Sequence, residues 1–171
     1  DGYIKAVEFD NTMDKGAYAG WGVVVMFYTA SMVHLPYKVP HVFTKVRNVY
    51  TNKPSCGAHR GLGGVQPRFA LEVMMEEIAD ELGMSPLEFK LKNAVESGYT
   101  AANNMYVPHT EYKRCLQLAA EKSGYLEKRG KLPFGKGIGL AGGYYISGTA
   151  YTLYQSYKPH TSVTIRIDTE G

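Results

Sequence analysis

A glycine-rich loop followed directly by a helical pattern is the feature that most restricts the fold of this chain. Residues 54–66 read PSCGAHRGLGGVQ, with four glycines around a single arginine, Arg60. Glycine adopts positive φ angles and carries no Cβ, so such a loop can turn its backbone amides towards a ligand. The helix N-terminus behind it adds unpaired N–H groups, which favour anions. The loop fits neither GxGxxG nor a Walker loop, so an anion or cofactor cradle and a purely structural turn are both open from glycine content alone.

Helices are predicted behind this loop. From Pro67 the apolar residues recur at helical spacing, and we expect the acidic residues to lie mostly on a solvated face. The apolar set is Leu71, Met74, Met75, Ile78 and Leu82, and the acidic set is Glu72, Glu76, Glu77, Asp80 and Glu81. Gly83 should end the helix in a left-handed conformation. A second helix should start at a capping box formed by Ser85 and Glu88, with Pro86 between them.

A third helix is predicted over residues 111–123, capped by Thr110 and ended by Gly124. Its buried side should carry Tyr112, Cys115, Leu116 and Ala119.

Strands are predicted on both sides of the helices. Alternating patterns indicate strands at residues 3–10 and 42–50, and residues 136–147 and 161–168 are interpreted as antiparallel strands. The apolar run at residues 17–28 is a buried strand or the start of a short helix, and it is far too short to span a bilayer. Strands, then helices, then strands predict an α+β fold, with antiparallel strands flanking a central group of two to three helices.

Composition supports a soluble globular protein and excludes several classes of function. The chain has 171 residues, enough for a single domain over residues 1–171, and its net charge is only +3 without a block of like charges. We therefore expect neither nucleic-acid nor membrane partners. The two cysteines, Cys56 and Cys115, lack CxxC spacing, which argues against a disulfide framework or a zinc or iron–sulfur site in this chain. A cytoplasmic location is the expectation.

Residues 51–93 carry a resemblance to a known family. They read TNKPSCGAHRGLGGVQPRFALEVMMEEIADELGMSPLEFKLKN, and they are similar to the molybdopterin-binding subunit of the xanthine dehydrogenase and aldehyde oxidase family. The family pattern is approximately TN-P-x-x-x-A-[FYM]-R-G-[FL]-G-x-x-Q, then E-x-x-[ML]-[DE]-x-[IL]-A, then G-[ML]-[DS]-P-x-[ED]-[FL]-R-x-x-N. The loop and both helices agree in order and spacing. Because the chain also opens on Asp1 rather than Met, we expect an internal segment of a much larger subunit.

The resemblance implies that the loop binds a molybdopterin-type molybdenum cofactor. The implied cofactor-binding residues are Ala58, His59, Arg60, Gly61, Gly63, Gly64 and Gln66. Arg60 would lie near the molybdenum without being a ligand, a role that suits a permanently charged group able to bond two oxygens at once. The alternatives are that Arg60 bonds loop carbonyls, that His59 fills space behind the loop, and that Gln66 only opens the helix.

The resemblance also implies what the chain lacks. The family's catalytic glutamate lies outside this segment, so no catalytic residue is expected here and the isolated segment should be inactive. Electrons would pass to iron–sulfur clusters and usually FAD on partner subunits or domains.

Three residues are candidates for the substrate pocket: Tyr28, Leu62 and Thr149. Leu62 stands where purine-oxidising members carry a phenylalanine, and Tyr28 falls where they carry an arginine. Both departures argue against xanthine and favour a less purine-like aromatic, with the 4-hydroxybenzoyl-CoA reductase branch as a hypothesis. Tyr28 could equally be a core aromatic. Gly61 replaces the cysteine of the carbon monoxide dehydrogenases, so that branch is not expected.

Two classes of function follow from the sequence. The first is part of a molybdenum-cofactor-dependent oxidoreductase, either a hydroxylase or dehydrogenase or an aromatic-CoA reductase. The alternative is a stand-alone module that binds a phosphate-bearing ligand or acts in assembly, without redox chemistry.

Overall fold

The fold mixes helices and short strands, which confirms the predicted α+β class. The structure is a computed structural model, and it describes residues 1–146 and 162–169. In chain order its elements are β1 (Ala6–Asp14), α1 (Gly22–Met32), β2 (His41–Val49), α2 (Val65–Glu81), α3 (Pro86–Asn93), β3 (Tyr99–Thr100), β4 (Tyr106–Val107), α4 (Tyr112–Ser123) and α5 (Tyr125–Lys128).

The main strand pair is parallel, and the prediction of antiparallel strands is wrong at this point. Strands β1 and β2 run in register from the pair Ala6 and His41 to the pair Asp14 and Val49. Parallel neighbours need a crossover connection, which α1 supplies. The run at residues 17–28, read as a strand or a short helix, turns out to hold most of α1. Among the described residues, antiparallel pairing is limited to the two-residue strands β3 and β4 and to an isolated bridge between Tyr37 and Ala94.

The predicted C-terminal strands are also wrong where the structure describes them. Residues 136–146 and 162–168 have no strand assignment. The first of these segments lies against helix side chains instead of against another strand, so its backbone groups have no ladder to join. Ser147 and Thr161, the end residues of the two predictions, lie outside the described part of the chain.

The core packs α2, α3 and α4 together. Leu71 and Met75 of α2 contribute to a buried cluster with Phe89 of α3 and Leu116 of α4. The predicted inner face of α2 is only partly right, because Met74 and Leu82 are 51% and 49% exposed. On α4 the buried residues are Tyr112, Leu116 and Ala120, whereas the predicted Cys115 and Ala119 are exposed.

The predicted ends of the helices are mostly confirmed. Gly83 and Gly124 have φ angles of +64° and +65°, the left-handed conformation that ends a helix. Ser85 is the N-cap of α3 and Pro86 follows it, but the Ser85 side chain makes no capping hydrogen bond. The capping box is therefore absent although the helix starts where its sequence pattern predicts.

Among the helices of the described residues, none is both long enough and apolar enough to cross a membrane.

Candidate functional site

The second half of the glycine loop packs against α1. Gly61 and Gly63 have φ angles of +86° and +78°. A Cβ added to Gly63 would collide with the Val25 carbonyl oxygen and lie 2.9 Å from Thr29 Oγ1. The Thr29 hydroxyl donates a hydrogen bond of 2.8 Å to the Gly63 carbonyl. Only glycine permits this approach, so the loop is tied to the helix that precedes it.

The first half of the loop faces outward. Ala58, His59 and Arg60 are exposed, as is Gln66 at the start of α2, while Gly63 and Gly64 are buried. Within residues 1–146 and 162–169, Arg60 makes no hydrogen bond or ion pair. Its guanidinium is therefore free to bind an anion. Gly63 and Gly64 are buried, so they contribute to the conformation of the loop.

The three candidate substrate residues have different positions. Tyr28 is 6% exposed, and its ring stacks on Tyr145 with centroids 6.0 Å apart and planes 10° apart. Leu62 is partly exposed on the loop. A Cβ on Gly64 would lie 3.6 Å from the Tyr145 ring, so the stacked pair adjoins the loop. Thr149 lies outside the described residues.

A cavity of about 870 Å³ opens beside the loop. It is lined by Gly61 and Gly64 of the loop, by residues 139–141 and 143–145, by side chains of α2 and by Lys90 of α3. The α2 side chains in its wall are of two kinds. The apolar ones are Val65, Phe69 and Val73, and the charged ones are Arg68, Glu72 and Glu76.

Lys90 of α3 is the buried centre of the charged wall. Its side chain has no exposed surface, and its ammonium lies 2.7 Å from Glu76 Oε1 and 3.1 Å from Glu72 Oε2. It also donates to the Leu140 carbonyl. The prediction of a solvated acidic face is wrong here, because Glu72 is only 5% exposed. Lys90 supplies the opposite charge that a buried carboxylate needs.

A pair of tyrosines completes the surroundings of Glu72. The Tyr37 hydroxyl donates to Glu72 Oε1 at 2.7 Å, and the Tyr112 hydroxyl donates to Tyr37 at 3.4 Å. Burial is the main cause that raises the pKa of both phenols, and for Tyr37 the neighbouring Tyr112 and Glu72 raise the pKa further. Both phenols therefore stay protonated and keep donating. Glu72 Oε2, close to Lys90 but without a well-aligned hydrogen bond, depends on the lysine charge.

Lys90 and Arg68 were not identified from the sequence, although a signal for Lys90 was present. The buried residues of α3 are Pro86, Phe89, Lys90 and Asn93, which are spaced as one face of a helix. A lysine between apolar neighbours on such a face needs buried carboxylates as partners. No comparable signal marks Arg68, because its position is partly exposed and its contacts come from residues far away in the chain.

Comparison with known proteins identifies the family. Residues 1–94, which include the whole loop, match the family model for the molybdopterin cofactor-binding domain. The chain belongs to this family. The predicted resemblance to the molybdopterin-binding subunit of the xanthine dehydrogenase and aldehyde oxidase family is thereby confirmed.

Relatives of the chain are much longer than the chain itself. The nicotinate dehydrogenase large molybdopterin subunit of Eubacterium barkeri is 34% identical over 136 residues, which are 75% of this chain and 32% of that protein. The aldehyde oxidoreductase of Megalodesulfovibrio gigas is 32% identical over 159 residues, covering 86% of this chain and 17% of that protein. The crystal structure of quinoline 2-oxidoreductase from Pseudomonas putida 86 superposes with a TM-score of 0.66 at 26% identity, covering 75% of this chain and 18% of that one. The chain thus spans about a third or less of each.

Proposed function

We propose that this chain is a single domain within the molybdopterin-binding region of a larger molybdenum-cofactor-dependent oxidoreductase. Its part is to supply the cofactor-facing loop and a portion of the substrate pocket. The observation that carries the proposal is the free guanidinium of Arg60 on the outward half of a loop that lies inside the family match. The alternative role of Arg60, bonding of the loop carbonyls, has no hydrogen bond to support it among the described residues.

The loop fits an anionic cofactor. Arg60 can bond two oxygens at once and keeps its charge. Ala58 and His59 are exposed, and within the described residues neither backbone amide donates a hydrogen bond, so both are open to a ligand. Gly61, Gly63, Gly64 and Gln66 complete the proposed set, with Gly63 and Gly64 acting through loop shape because they are buried. When bound, the molybdenum centre would supply the two-electron redox step.

A planar aromatic substrate suits the neighbouring residues. Tyr28 lies under Tyr145 next to the loop, and Leu62 is partly exposed at the same place. The names of two relatives, a nicotinate dehydrogenase and a quinoline 2-oxidoreductase, also point to heteroaromatic rings. Thr149 belongs to the proposed pocket from the sequence alone. The reductive 4-hydroxybenzoyl-CoA branch stays a prediction.

The complete enzyme would work as an assembly. One relative is named as a large molybdopterin subunit, which implies further subunits in that protein. For this chain we propose iron–sulfur and flavin partners, on separate subunits or domains, and a cytoplasmic location.

The test is metal and pterin analysis of the full-length parent subunit, matured with its partners. Wild type should contain molybdenum and pterin, and Arg60→Ala should lose retention or turnover while remaining folded. Arg114→Ala is the matched control, because Arg114 is also an exposed arginine but lies on α4. Folded, matured wild type without molybdenum and pterin would overturn the proposal, and so would equal cofactor content and turnover in Arg60→Ala and Arg114→Ala.

A further inference from the structure

Residues 139–146 form a segment without helix or strand that lies against α2, and this segment is here called the strap. It is not part of a strand pair, so side chains of the helices hold it in place. Lys90 of α3 donates to the Leu140 carbonyl at one end. Arg68 of α2 places Nη2 3.4 Å from the Tyr144 carbonyl near the other end. The strap thus depends on two cations from different helices.

The middle of the strap is fitted closely to the helices. A Cβ on Gly142 would overlap the hydroxyl oxygen of Tyr112, which itself donates to Tyr37. The strap can therefore approach the tyrosine pair only because position 142 is glycine. The contact at Gly142 therefore sets the distance between the strap and the tyrosine pair.

The far end of the strap reaches the glycine loop. Tyr145 stacks on Tyr28 of α1, and its ring would lie 3.6 Å from a Cβ on Gly64. Arg68 contacts the carbonyl of Tyr144, the residue just before this ring, and also lies 3.5 Å from the Met32 carbonyl at the end of α1. One guanidinium thus links the two backbone segments that carry the stacked rings.

We propose that Arg68 and Lys90 are positioning residues that hold the strap so that Tyr145 covers Tyr28 beside the glycine loop. In this way they set one wall of the pocket for a planar aromatic substrate. The substrate clause rests on the proposed function, whereas the anchoring of the strap does not.

Arg68 gives the sharper test, because it is partly exposed and its hydrogen bonds go to the Met32 and Tyr144 carbonyls rather than to the buried Lys90 cluster. We would compare Arg68→Met and Arg68→Lys in the full-length subunit. The control is Arg129→Met, since Arg129 pairs with Asp80 at 2.8 Å and with Glu76 at 3.5 Å, both on α2. Neither of these partners is on the strap, although Glu76 also pairs with Lys90.

The first measurement is amide hydrogen exchange by mass spectrometry. Exchange of peptides covering residues 139–146 should be about tenfold faster in Arg68→Met, as expected for one lost hydrogen bond to a charged group. Arg68→Lys should restore most of the protection, and Arg129→Met should leave it unchanged. Equal strap exchange in Arg68→Met and Arg129→Met would overturn the anchoring.

The second measurement is the dissociation constant of quinoline, used as a planar aromatic probe in equilibrium dialysis. It should rise about tenfold in Arg68→Met, with partial recovery in Arg68→Lys and unchanged molybdenum content. Wild type that does not bind quinoline, or a constant that is equal in Arg68→Met and Arg129→Met, would overturn the substrate clause. Because the proposed function is judged by molybdenum and pterin in wild type, its failure is distinguishable from failure of the anchoring.

Lys90 is tested by Lys90→Arg, which keeps the charge and the donors. We expect strap exchange within about threefold of wild type, with the Glu72 and Glu76 pairs retained. Lys90→Met leaves the buried Glu72 without its cation and Glu76 with Arg129 alone, and it is expected to unfold the region. Normal strap protection in a folded Lys90→Met would refute its role.

Discussion

Replacing Gly63 with alanine should separate the loop from α1. Two features of the structure oppose a side chain at this position. The backbone has a φ angle of +78°, which alanine adopts reluctantly, and the new Cβ would collide with the Val25 carbonyl oxygen. Because that oxygen belongs to the backbone of α1, the neighbouring group cannot rotate away. The loop must move, and the hydrogen bond from Thr29 to the Gly63 carbonyl is then lost.

The expected loss of stability is about 2–3 kcal/mol. A left-handed conformation costs a residue with a Cβ about 1–2 kcal/mol, and the lost buried hydrogen bond adds about 1 kcal/mol. For a domain of this size each kcal/mol lowers the melting temperature by about 2–4 °C. Gly63→Ala should therefore melt about 5–10 °C below wild type.

The assay is thermal unfolding of the 171-residue chain followed by circular dichroism at 222 nm. Gly57→Ala is the matched control, because a Cβ at Gly57 would meet nothing within 4 Å and its φ angle is not in the left-handed region. That variant should melt at or slightly above the wild-type temperature. If the two variants melt within about 1 °C of each other, the loop is not seated on α1 as described.

Two further predictions concern buried polar groups. Burial, together with the charge of Arg68, lowers the pKa of His34 to about 4 from 6.5. Since the unfolded chain then binds the proton more tightly, lowering the pH from about 6.5 to 4 should remove about 3 kcal/mol of unfolding free energy. Urea unfolding should show a smaller loss in His34→Gln, and equal losses would contradict the prediction. Tyr37→Phe removes the donor to Glu72 and should cost about 2 kcal/mol. Tyr106→Phe, at an exposed ring, should stay within about 0.5 kcal/mol, and equal urea midpoints would show that the hydroxyl does not matter.

The sequence predicted those parts of the fold that depend on local signals. The helical period behind the loop, the pair Ser85 and Pro86, and Thr110 placed α2, α3 and α4 within two residues of their observed starts. Gly83 and Gly124 marked the ends of α2 and α4. Strand pairing failed because it depends on what lies between the strands. A run of valines before Met26 has high strand propensity, yet it forms a helix, and that helix makes β1 and β2 parallel.

The candidate site was predictable where residues adjoin in sequence and not where they meet in space. The loop with Arg60 could be identified from one short stretch. The solvent-facing interpretation of Glu72 and Glu76 failed because helical period alone does not say which side of an amphipathic helix meets another element. Their partner Lys90 comes from the next helix, and only the structure brings the three together.

The positions of the charges on α2 explain how the charged wall of the cavity can be buried. Arg68, Glu72, Glu76 and Asp80 follow one another at intervals of four residues, so they form one line along the helix. Lys90 sits between the second and third members, and Arg129 bridges the third and fourth. Opposite charges therefore alternate along the whole line, and each carboxylate shares a cation with a neighbour. Substitutions of Lys90 combined with substitutions of Glu72 or Glu76 should consequently be strongly non-additive, since Lys90 contacts both carboxylates directly.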